Sequence, residues 1–424
     1  MRVFYHLRQN YRQWQFDAAR YPPDGVEVLI PPGIVLDVDY NDKNFSHTAS
    51  GAALPKKKPS LLDRAKPFLN EPLKYNPLLI NYRGVAELNA NPLRENFPNE
   101  PQTHRGRLFV KSDRTSDVDA DISYLYSGIV KNPKTPYVAE VENPTALTYF
   151  SPIALYNPLV KSEIAKVILS PKTIRILCLS EACKISMLKV FGQAIGEKLE
   201  VMYPVVPDLH LQTTDSGQPR FLFASLNCYL KGGREIILAA KRLKGKFSLT
   251  MVTDLPPELA PDAKKLGIGL KEYRYFNRMG FLNSIPDYDV ILHPTFMDCF
   301  GLAPFECVCG GLAGIASGLY ALPEFIQHGR NGWNIPAPMD YFKDSLPNLK
   351  YWFMSPEKYA DYVKKREFPH VVDKLVEYMQ YYIDNPGELK KHKEYSRKLA
   401  KEKFSLEVRN KKLLKIFEEG LGLA

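Results

Sequence analysis

Short apolar runs alternate along the chain with stretches whose apolar residues recur at helical spacing. In the second half, the runs FLFAS, FSLTMVT, YDVILHPT and LAGIAS are separated by polar turns and helical stretches such as KGGREIILAAKRL. In the first half, ISYLYSG, TPYVAEVENP and IRILCLS repeat the arrangement, with KSEIAKVIL as a helical stretch. Apolar strands that alternate with helices are typical of a parallel sheet covered on both faces. The pattern therefore predicts an α/β protein with two doubly wound units.

Two breaks in the alternation set the predicted domain organisation. The segment YPVVPDLHLQTTDSGQPR has the composition of a linker, which places the first domain at 1–207 and the second at 208–404. The segment from about 40 to 107 is rich in Pro and Asn and shows no helical or strand periodicity. This predicts an irregular insertion in the first domain. A charged, helical tail ends the chain at 405–424.

Length and composition narrow the function classes. A chain of 424 residues, 45% hydrophobic and 25% charged, is a globular protein with more than one core. No signal segment follows Met1 and no apolar stretch reaches bilayer length, so we expect a cytoplasmic protein. Cys307 and Cys309 are spaced too closely for a usual zinc pair.

The net charge of +10 raises the question of an anionic partner. The one compact basic run, PKKKP at 55–59, lies in a Pro-rich stretch. A solvated loop is the first interpretation, and a membrane surface at the inner face or a phosphorylated substrate is the second. Nucleic acid comes last, because the basic residues lack interleaved aromatic stacking motifs. We expect no nucleic-acid partner.

The stretch HPTFMDCFGLAPFECVCGG carries the candidate chemistry. It follows a strand, and Asp298 and Glu306 flank a glycine turn at the start of a helix. Gly301, Leu302 and Ala303 supply backbone amides that can bind an anion. Carboxylates accept hydrogen bonds from hydroxyl groups. A sugar joined to a nucleotide through a diphosphate fits such a site, at the carboxyl ends of two sheets that face each other across a cleft.

The same stretch resembles the retaining GT-B glycosyltransferases of the family four group, whose fingerprint is two glutamates with seven residues between them. Here the spacing is kept with Asp298 in place of the first glutamate. The resemblance is strong over about 221–332, fair for 174–207 and the C-terminal tail, and weak before 119. The other matching segments are HPT, Phe300-Gly301, Gly311, IAS (315–317), LPE (322–324), HGRNG (328–332) and the Lys-Gly segment at Lys231.

The resemblance implies a GT-B fold with two Rossmann-like domains, a C-terminal helix that crosses back to the first domain, and a role for each matching residue. Glu306 should hold the ribose hydroxyls and Asp298 should face the transferred sugar. Lys231 should neutralise the departing diphosphate, which metals do in other transferase folds, so no metal cofactor is expected. The donor-binding set implied by the family is Phe300, Gly301, Leu302, Ala303 and Ser225 with Glu306.

The chain departs from the family pattern at several positions. Ser225 stands where an arginine often precedes the Lys-Gly segment, and RQNYRQWQ replaces the glycine-rich loop after the first strand. Glu142 replaces a histidine, which makes it a candidate catalytic residue or a structural acid. Asp298 could also be only a helix N-cap, Glu306 a surface acid and Lys231 a solvated lysine.

The sequence therefore predicts a retaining, metal-independent glycosyltransferase. It would move a sugar from a nucleotide-diphosphate sugar to a glycan, a lipid-linked or another hydroxyl acceptor. The alternatives are a catalytically weakened sugar- or nucleotide-binding protein and a nucleotide-sugar epimerase on the same fold.

Overall fold

The computed structural model describes residues 1–8, 11–36, 119–148, 153–207, 217–271, 278–352, 354 and 356–423. The predicted insertion at about 40–107, including the basic run at 55–59, lies outside the described residues. No helix in the described part of the chain is long and apolar enough to cross a bilayer.

The first domain contains a parallel sheet, six-stranded over the described residues, in the order β2-β1-β3-β4-β5-β6. Its middle strands are buried on both faces, which explains their continuous apolar runs. The strands are β1 (Arg2–Tyr5), β2 (Glu27–Leu29), β3 (Ile122–Tyr126), β4 (Tyr137–Val141), β5 (Thr173–Cys178) and β6 (Leu199–Val201), and the helices are α1 (Gln13–Arg20), α2 (Pro158–Ile168) and α3 (Glu181–Phe191).

Polar caps fix where the first-domain helices begin. Asn157 caps α2 by accepting from the N–H groups of Leu159 and Val160, and Pro158 takes the first helical position. Ser180 caps α3 by accepting from the Cys183 N–H. Helices α2 and α3 therefore each begin immediately after a polar residue whose side chain caps them.

The second domain contains a parallel sheet in the order β12-β11-β10-β7-β8-β9. Relative to its first strand this is the order 3-2-1-4-5-6 of dinucleotide-binding folds, with the strand order reversing between β7 and β10. The strands are β7 (Arg220–Ala224), β8 (Ser248–Val252), β9 (Gly269–Lys271), β10 (Val290–His293), β11 (Ala313–Ser317) and β12 (Gly332–Ile335).

Helices cover the second sheet and continue to the end of the chain. A small hairpin, β13 (Phe342–Lys343) and β14 (Leu346–Pro347), precedes the C-terminal helices. The helices are α4 (Gly233–Ala240), α5 (Ala260–Lys265), α6 (Arg278–Ser284), α7 (Leu302–Cys309), α8 (Leu322–Phe325), α9 (Leu349–Trp352), α10 (Pro356–Lys364), α11 (Pro369–Asp384), α12 (Pro386–Leu399) and α13 (Leu406–Leu421).

Helix α13 packs on the sheet of the first domain. Leu413, Ile416 and Phe417 are buried in the core that contains β1 and β3. Burial of such side chains contributes about 1.5–3 kcal/mol each. Arg409 is buried beneath them and donates to the Tyr124 hydroxyl at 3.2 Å. The two sheets, each covered by helices, confirm the predicted fold class of two doubly wound α/β domains.

Candidate active site

The loops that follow β7 and β10 lie side by side at the switch point of the second sheet. The first loop carries Ser225 directly after β7 and leads to Lys231. The second contains Asp298 and leads to α7. Ligands of open α/β sheets bind in the crevice at this point. Strand order therefore brings the loops that carry Lys231 and Asp298 to the same edge of the sheet.

A glycine allows the two loops to touch. Gly232, the residue before α4, has φ +78°, and a Cβ there would lie 2.3 Å from the Pro294 carbonyl oxygen. Phe296 donates its N–H to the Leu230 carbonyl at 2.9 Å, which ties the loops together. The close backbone approach therefore requires glycine at position 232, and it places the neighbouring Lys231 against the β10 loop.

Lys231, Asp298 and His293 form a hydrogen-bonded cluster at the end of β10. Oδ2 of Asp298 accepts from Lys231 Nζ at 2.7 Å and pairs with His293 Nε2 at 2.8 Å. Lys231 also donates to the Met297 carbonyl, so two of its three N–H groups are used. The side chains of Lys231 and Asp298 are 18% and 16% exposed. Both therefore remain accessible to a small ligand.

The electrostatics of this cluster fix its protonation state. Burial raises the pKa of Asp298, but the Lys231 charge and the His293 bond outweigh it and hold that pKa well below its usual value. Burial lowers the pKa of His293. The imidazole is therefore neutral at neutral pH and donates from Nε2 to the carboxylate. Its Nδ1 is buried without a hydrogen-bond partner.

Asp298 is not a helix cap. The residue before α7 is Gly301, and its first turn receives no side-chain capping bond. Both interactions of Asp298 instead use Oδ2, which leaves Oδ1 without a hydrogen bond among the described residues. The capping alternative for Asp298 is therefore wrong, and one carboxylate oxygen is available to a substrate.

The start of α7 offers backbone amides beside this cluster. Gly301 has φ +85°, and a Cβ there would lie 2.6 Å from Leu322 Cδ2. The first N–H groups of a helix have no partner within the helix, so Leu302 and Ala303 present donors. The Phe300 ring is buried against Phe305, with centroids 5.1 Å apart. Phe300 therefore offers a ligand only its backbone.

Glu306 lies further along α7 and is buried, so it is not a surface acid. Its Oε1 accepts from Arg278 Nε at 2.7 Å. Arg278 also donates to Asp17 on α1 of the first domain and to the Val205 carbonyl. Burial raises the pKa of Glu306, and the Arg278 charge opposes the rise.

Glu142 is the candidate site residue that belongs to the first domain. It is half-buried and directly follows β4. Burial raises its pKa, the charge of Arg12 opposes this rise, and the charge of Asp298 adds to it. The next residue, Asn143, lies 3.4 Å from Cys299 Sγ, which links the two domains.

Sequence reasoning missed three residues that the structure brings to the site. His293 precedes the Pro of the HPT segment, but its contact with Asp298 required the geometry of the turn. Asp17 and Arg278 lie in segments where no motif was found. The described residues contain no group of three or more His, Cys, Asp and Glu side chains that could hold a metal ion.

Solved structures with the same fold provide the comparison. The Anabaena protein HepE in complex with UDP and glucose matches with a TM-score of 0.56 and 12% identity, over 99% of this chain and 100% of that chain. HepE in complex with UDP-glucose gives 0.54 and 13%, over 99% and 100%. A Rickettsia africae glycosyltransferase gives 0.52 and 14%, over 100% and 99%. No protein-family model and no curated protein matches the sequence.

These similarities define the class of the structure. The two parallel sheets and their arrangement are those of the GT-B fold, which confirms the prediction made from the motifs. At 12–14% identity the similarity shows the fold alone.

Proposed function

We propose that the chain is a glycosyltransferase that uses a nucleotide-diphosphate sugar and retains the configuration of the anomeric carbon. The observation that carries this proposal is the pairing of Lys231 with Asp298 at the switch point, beside the free amides of α7. A cation and helix amides suit a diphosphate, and a carboxylate suits the hydroxyls of a sugar. HepE, on the same fold, was solved with UDP-glucose, which supports a nucleotide-sugar donor.

Each polar group would have a distinct role with this donor. Lys231 uses two N–H groups within the protein, and the third would donate to the diphosphate together with the amides of Leu302 and Ala303. Oδ1 of Asp298 would accept from a sugar hydroxyl. Glu306 would accept from the ribose through Oε2, because Oε1 is occupied by Arg278.

In the proposed reaction, the bond between the anomeric carbon and the phosphate oxygen breaks as the acceptor oxygen bonds to the same face of the sugar. The acceptor's proton passes to the departing phosphate, which leaves as a nucleoside diphosphate. The protein's contribution is positioning and charge stabilisation of the leaving group. Glu142, which directly follows β4 of the first domain, would lie on the acceptor side. Lys231 would take the role that a metal plays elsewhere.

A thermal-shift screen tests the donor half of this proposal. The wild-type protein is scanned with UDP, GDP, ADP, CDP, dTDP and their sugar derivatives, each with and without EDTA. A ligand at about a hundred times its dissociation constant stabilises a protein by about 2.7 kcal/mol. We expect one nucleotide series to stabilise the protein regardless of EDTA. Stabilisation by none of them would refute the proposal.

A turnover assay separates the proposed activity from its alternatives. Release of a nucleoside diphosphate from the stabilising nucleotide sugar supports a transferase. Conversion to an epimeric nucleotide sugar without release would indicate an epimerase instead. Binding without either product would indicate a sugar- or nucleotide-binding protein. The acceptor, a glycan or a lipid-linked sugar, would be sought with the same release assay.

A further inference from the structure

The carboxylate proposed to bind ribose is held by a chain of charged groups that begins in the other domain. Arg20 donates to Asp17 Oδ1 at 2.8 Å, and Asp17 Oδ2 accepts from Arg278. Arg278 then donates from Nε to Glu306 Oε1 at 2.7 Å. Arg20 and Asp17 lie on α1 of the first domain, whereas Arg278 and Glu306 belong to the second. The two domains are therefore linked directly through the nucleotide site.

Burial makes this link strong. The side chains of Asp17, Arg278 and Glu306 are 1%, 14% and 7% exposed. With little water around them, charged groups interact more strongly than at the surface. The two arginines and two carboxylates balance in charge when Glu306 is ionised. Removing one member leaves a buried charge without its partner, so the others must rearrange.

The geometry leaves one oxygen of Glu306 available. Arginine and carboxylate prefer a two-pronged arrangement with two parallel hydrogen bonds. Here one terminal nitrogen of Arg278 donates to Asp17, the other donates to the Val205 carbonyl at 3.3 Å, and only Nε reaches Glu306. Oε2 of Glu306 accepts no hydrogen bond among the described residues. Without Asp17, the guanidinium would lose the stronger of the two contacts that hold its terminal nitrogens, and it could turn to occupy both oxygens of Glu306.

We propose that Asp17 and Arg278 form a positioning pair: Asp17 holds the guanidinium so that it fixes one oxygen of Glu306 and leaves the other for a ribose hydroxyl. The inference rests on the proposed function, because it assumes that Glu306 binds ribose. It adds that a residue of the first domain controls recognition of the nucleotide in the second. Nucleotide binding then depends on the two domains being in contact.

A blocking role for Arg278 would predict a different change in nucleotide affinity. If Arg278 simply blocked Glu306, it would compete with the nucleotide for the carboxylate. Replacing Arg278 or Asp17 would then leave nucleotide affinity unchanged or raise it. A positioning pair predicts that both replacements lower affinity. The sign of the change therefore separates the two.

The test is a calorimetric titration with the ribonucleoside diphosphate, among UDP, GDP, ADP and CDP, that stabilises the wild type most. Its 2′,3′-dideoxy counterpart is titrated in parallel, because only ribose hydroxyls can report on Glu306. The variants are Asp17→Asn, Arg278→Gln and the double variant. The matched control is Asp289→Asn, since Asp289 is also a buried carboxylate with two cationic partners, Arg220 and Lys393.

We expect Asp17→Asn and Arg278→Gln each to lower affinity about tenfold and to reduce the preference for the ribose form. The double variant should be no weaker than the weaker single variant, because the two residues act as one unit. Asp289→Asn should lower the melting temperature without changing either affinity. Loss of ribose preference in a variant with a normal unfolding transition is not explained by stability alone.

The outcomes distinguish this inference from the proposed function. If the wild type binds no nucleotide, the proposed function is refuted and the inference with it. If the wild type prefers ribose and Asp17→Asn keeps full affinity and preference, only the positioning inference is overturned. A gain of affinity in Arg278→Gln overturns it too. Should Asp17→Asn fail to fold, Arg278→Gln decides the matter by the same criteria.

Discussion

The pairing of Asp298 with Lys231 gives the sharpest test of how the site works. Asp298→Asn keeps the size of the side chain and an oxygen that can accept from Lys231 and His293. It removes the negative charge that holds the ammonium group at 2.7 Å. His293 is neutral and forms no ion pair with Asp298, so the substitution weakens its hydrogen bond much less than it weakens the interaction with Lys231. The change therefore acts mainly on the position of Lys231.

The magnitude follows from the strength of the lost interaction. Hydrogen bonds to charged groups contribute about 1.5–3 kcal/mol, and charge-assisted bonds are roughly twice as strong as neutral ones. Replacing carboxylate by amide should thus lower stability by about 1–2 kcal/mol. A lysine displaced by about 1 Å can lower the rate about 100-fold. The variant also gains one unit of positive charge at the site, so affinity for a nucleoside diphosphate should not fall.

The assay measures three quantities on the same preparation: the melting temperature, the dissociation constant of the nucleoside diphosphate, and kcat for its release from the nucleotide sugar. Asp262→Asn is the control, because Asp262 pairs with Lys241 on an exposed part of the second domain. Exposed pairs contribute about 0–1 kcal/mol. The control should therefore leave affinity and kcat unchanged and shift the melting temperature little.

The pH dependence adds an independent check. The folded pKa of Asp298 lies below its ordinary value of 3.8. The stabilisation from its ionised form is therefore fully present above that value and is lost only as pH falls through the lower folded pKa. The stability difference between wild type and Asp298→Asn should be constant from pH 5 to 8.

Wild-type kcat in Asp298→Asn would refute the positioning of Lys231 by this carboxylate.

Three further predictions follow from the same geometry. Lys231→Met should cut turnover about 100- to 1,000-fold, as expected for loss of a group that stabilises the leaving diphosphate. EDTA should leave the wild type active, and an absolute need for a divalent metal would contradict this role of Lys231. Because burial raises the pKa of Glu306, nucleotide affinity should fall on acidification with a midpoint above 4.5. Arg278→Gln should move that midpoint higher, since the Arg278 charge opposes the rise in pKa. Glu306→Gln serves as the reference that corrects for ionisation of the phosphates. Gly232→Ala should lower both stability and turnover, because the added Cβ would lie 2.3 Å from the Pro294 carbonyl oxygen. Gly267 has a similar φ but no atom near the position of an added Cβ, so Gly267→Ala should affect stability alone.

Much of the fold was predictable because its strands carry strong local signals. The middle strands of both parallel sheets are buried on both faces, so they read as unbroken apolar runs. Their alternation with helices then predicts a doubly wound topology. The order of the strands was not predictable from these runs. The reversal between β7 and β10, which brings the site together, depends on long-range packing.

The part of the candidate site that lies within one motif was also accessible from the sequence. Asp298, Gly301 and Glu306 are close in the chain, and a strand followed by a glycine turn and a helix fixes their approximate positions. Lys231 was linked to them only by resemblance to a family. Its contact with Asp298 rests on the approach of Gly232 to Pro294, which spacing does not reveal.

The contacts between domains were beyond sequence reasoning. Asp17 and Arg278 are separated by 261 positions, and neither lies in a recognisable motif. Glu324 lies in the LPE segment, but its contact with the N–H groups of Glu181 and Ala182 at the start of α3 was not predicted either. Such pairs depend on how two folded units meet. The predicted insertion at 40–107 stays a prediction, as do the roles given to the site residues.

The proposed reaction is the transfer of a sugar from a nucleotide donor with retention of the anomeric configuration. The most direct measurement is an NMR time course of the wild-type protein with the nucleotide sugar that gives the largest thermal shift, following the anomeric proton and the released nucleoside diphosphate. We predict release of the diphosphate and a first-formed sugar product, with an acceptor or with water, that has the anomeric configuration of the donor. Lys231→Met should slow the appearance of both signals about 100- to 1,000-fold. An inverted first product, or an unchanged nucleotide sugar with every donor that binds, would contradict the account.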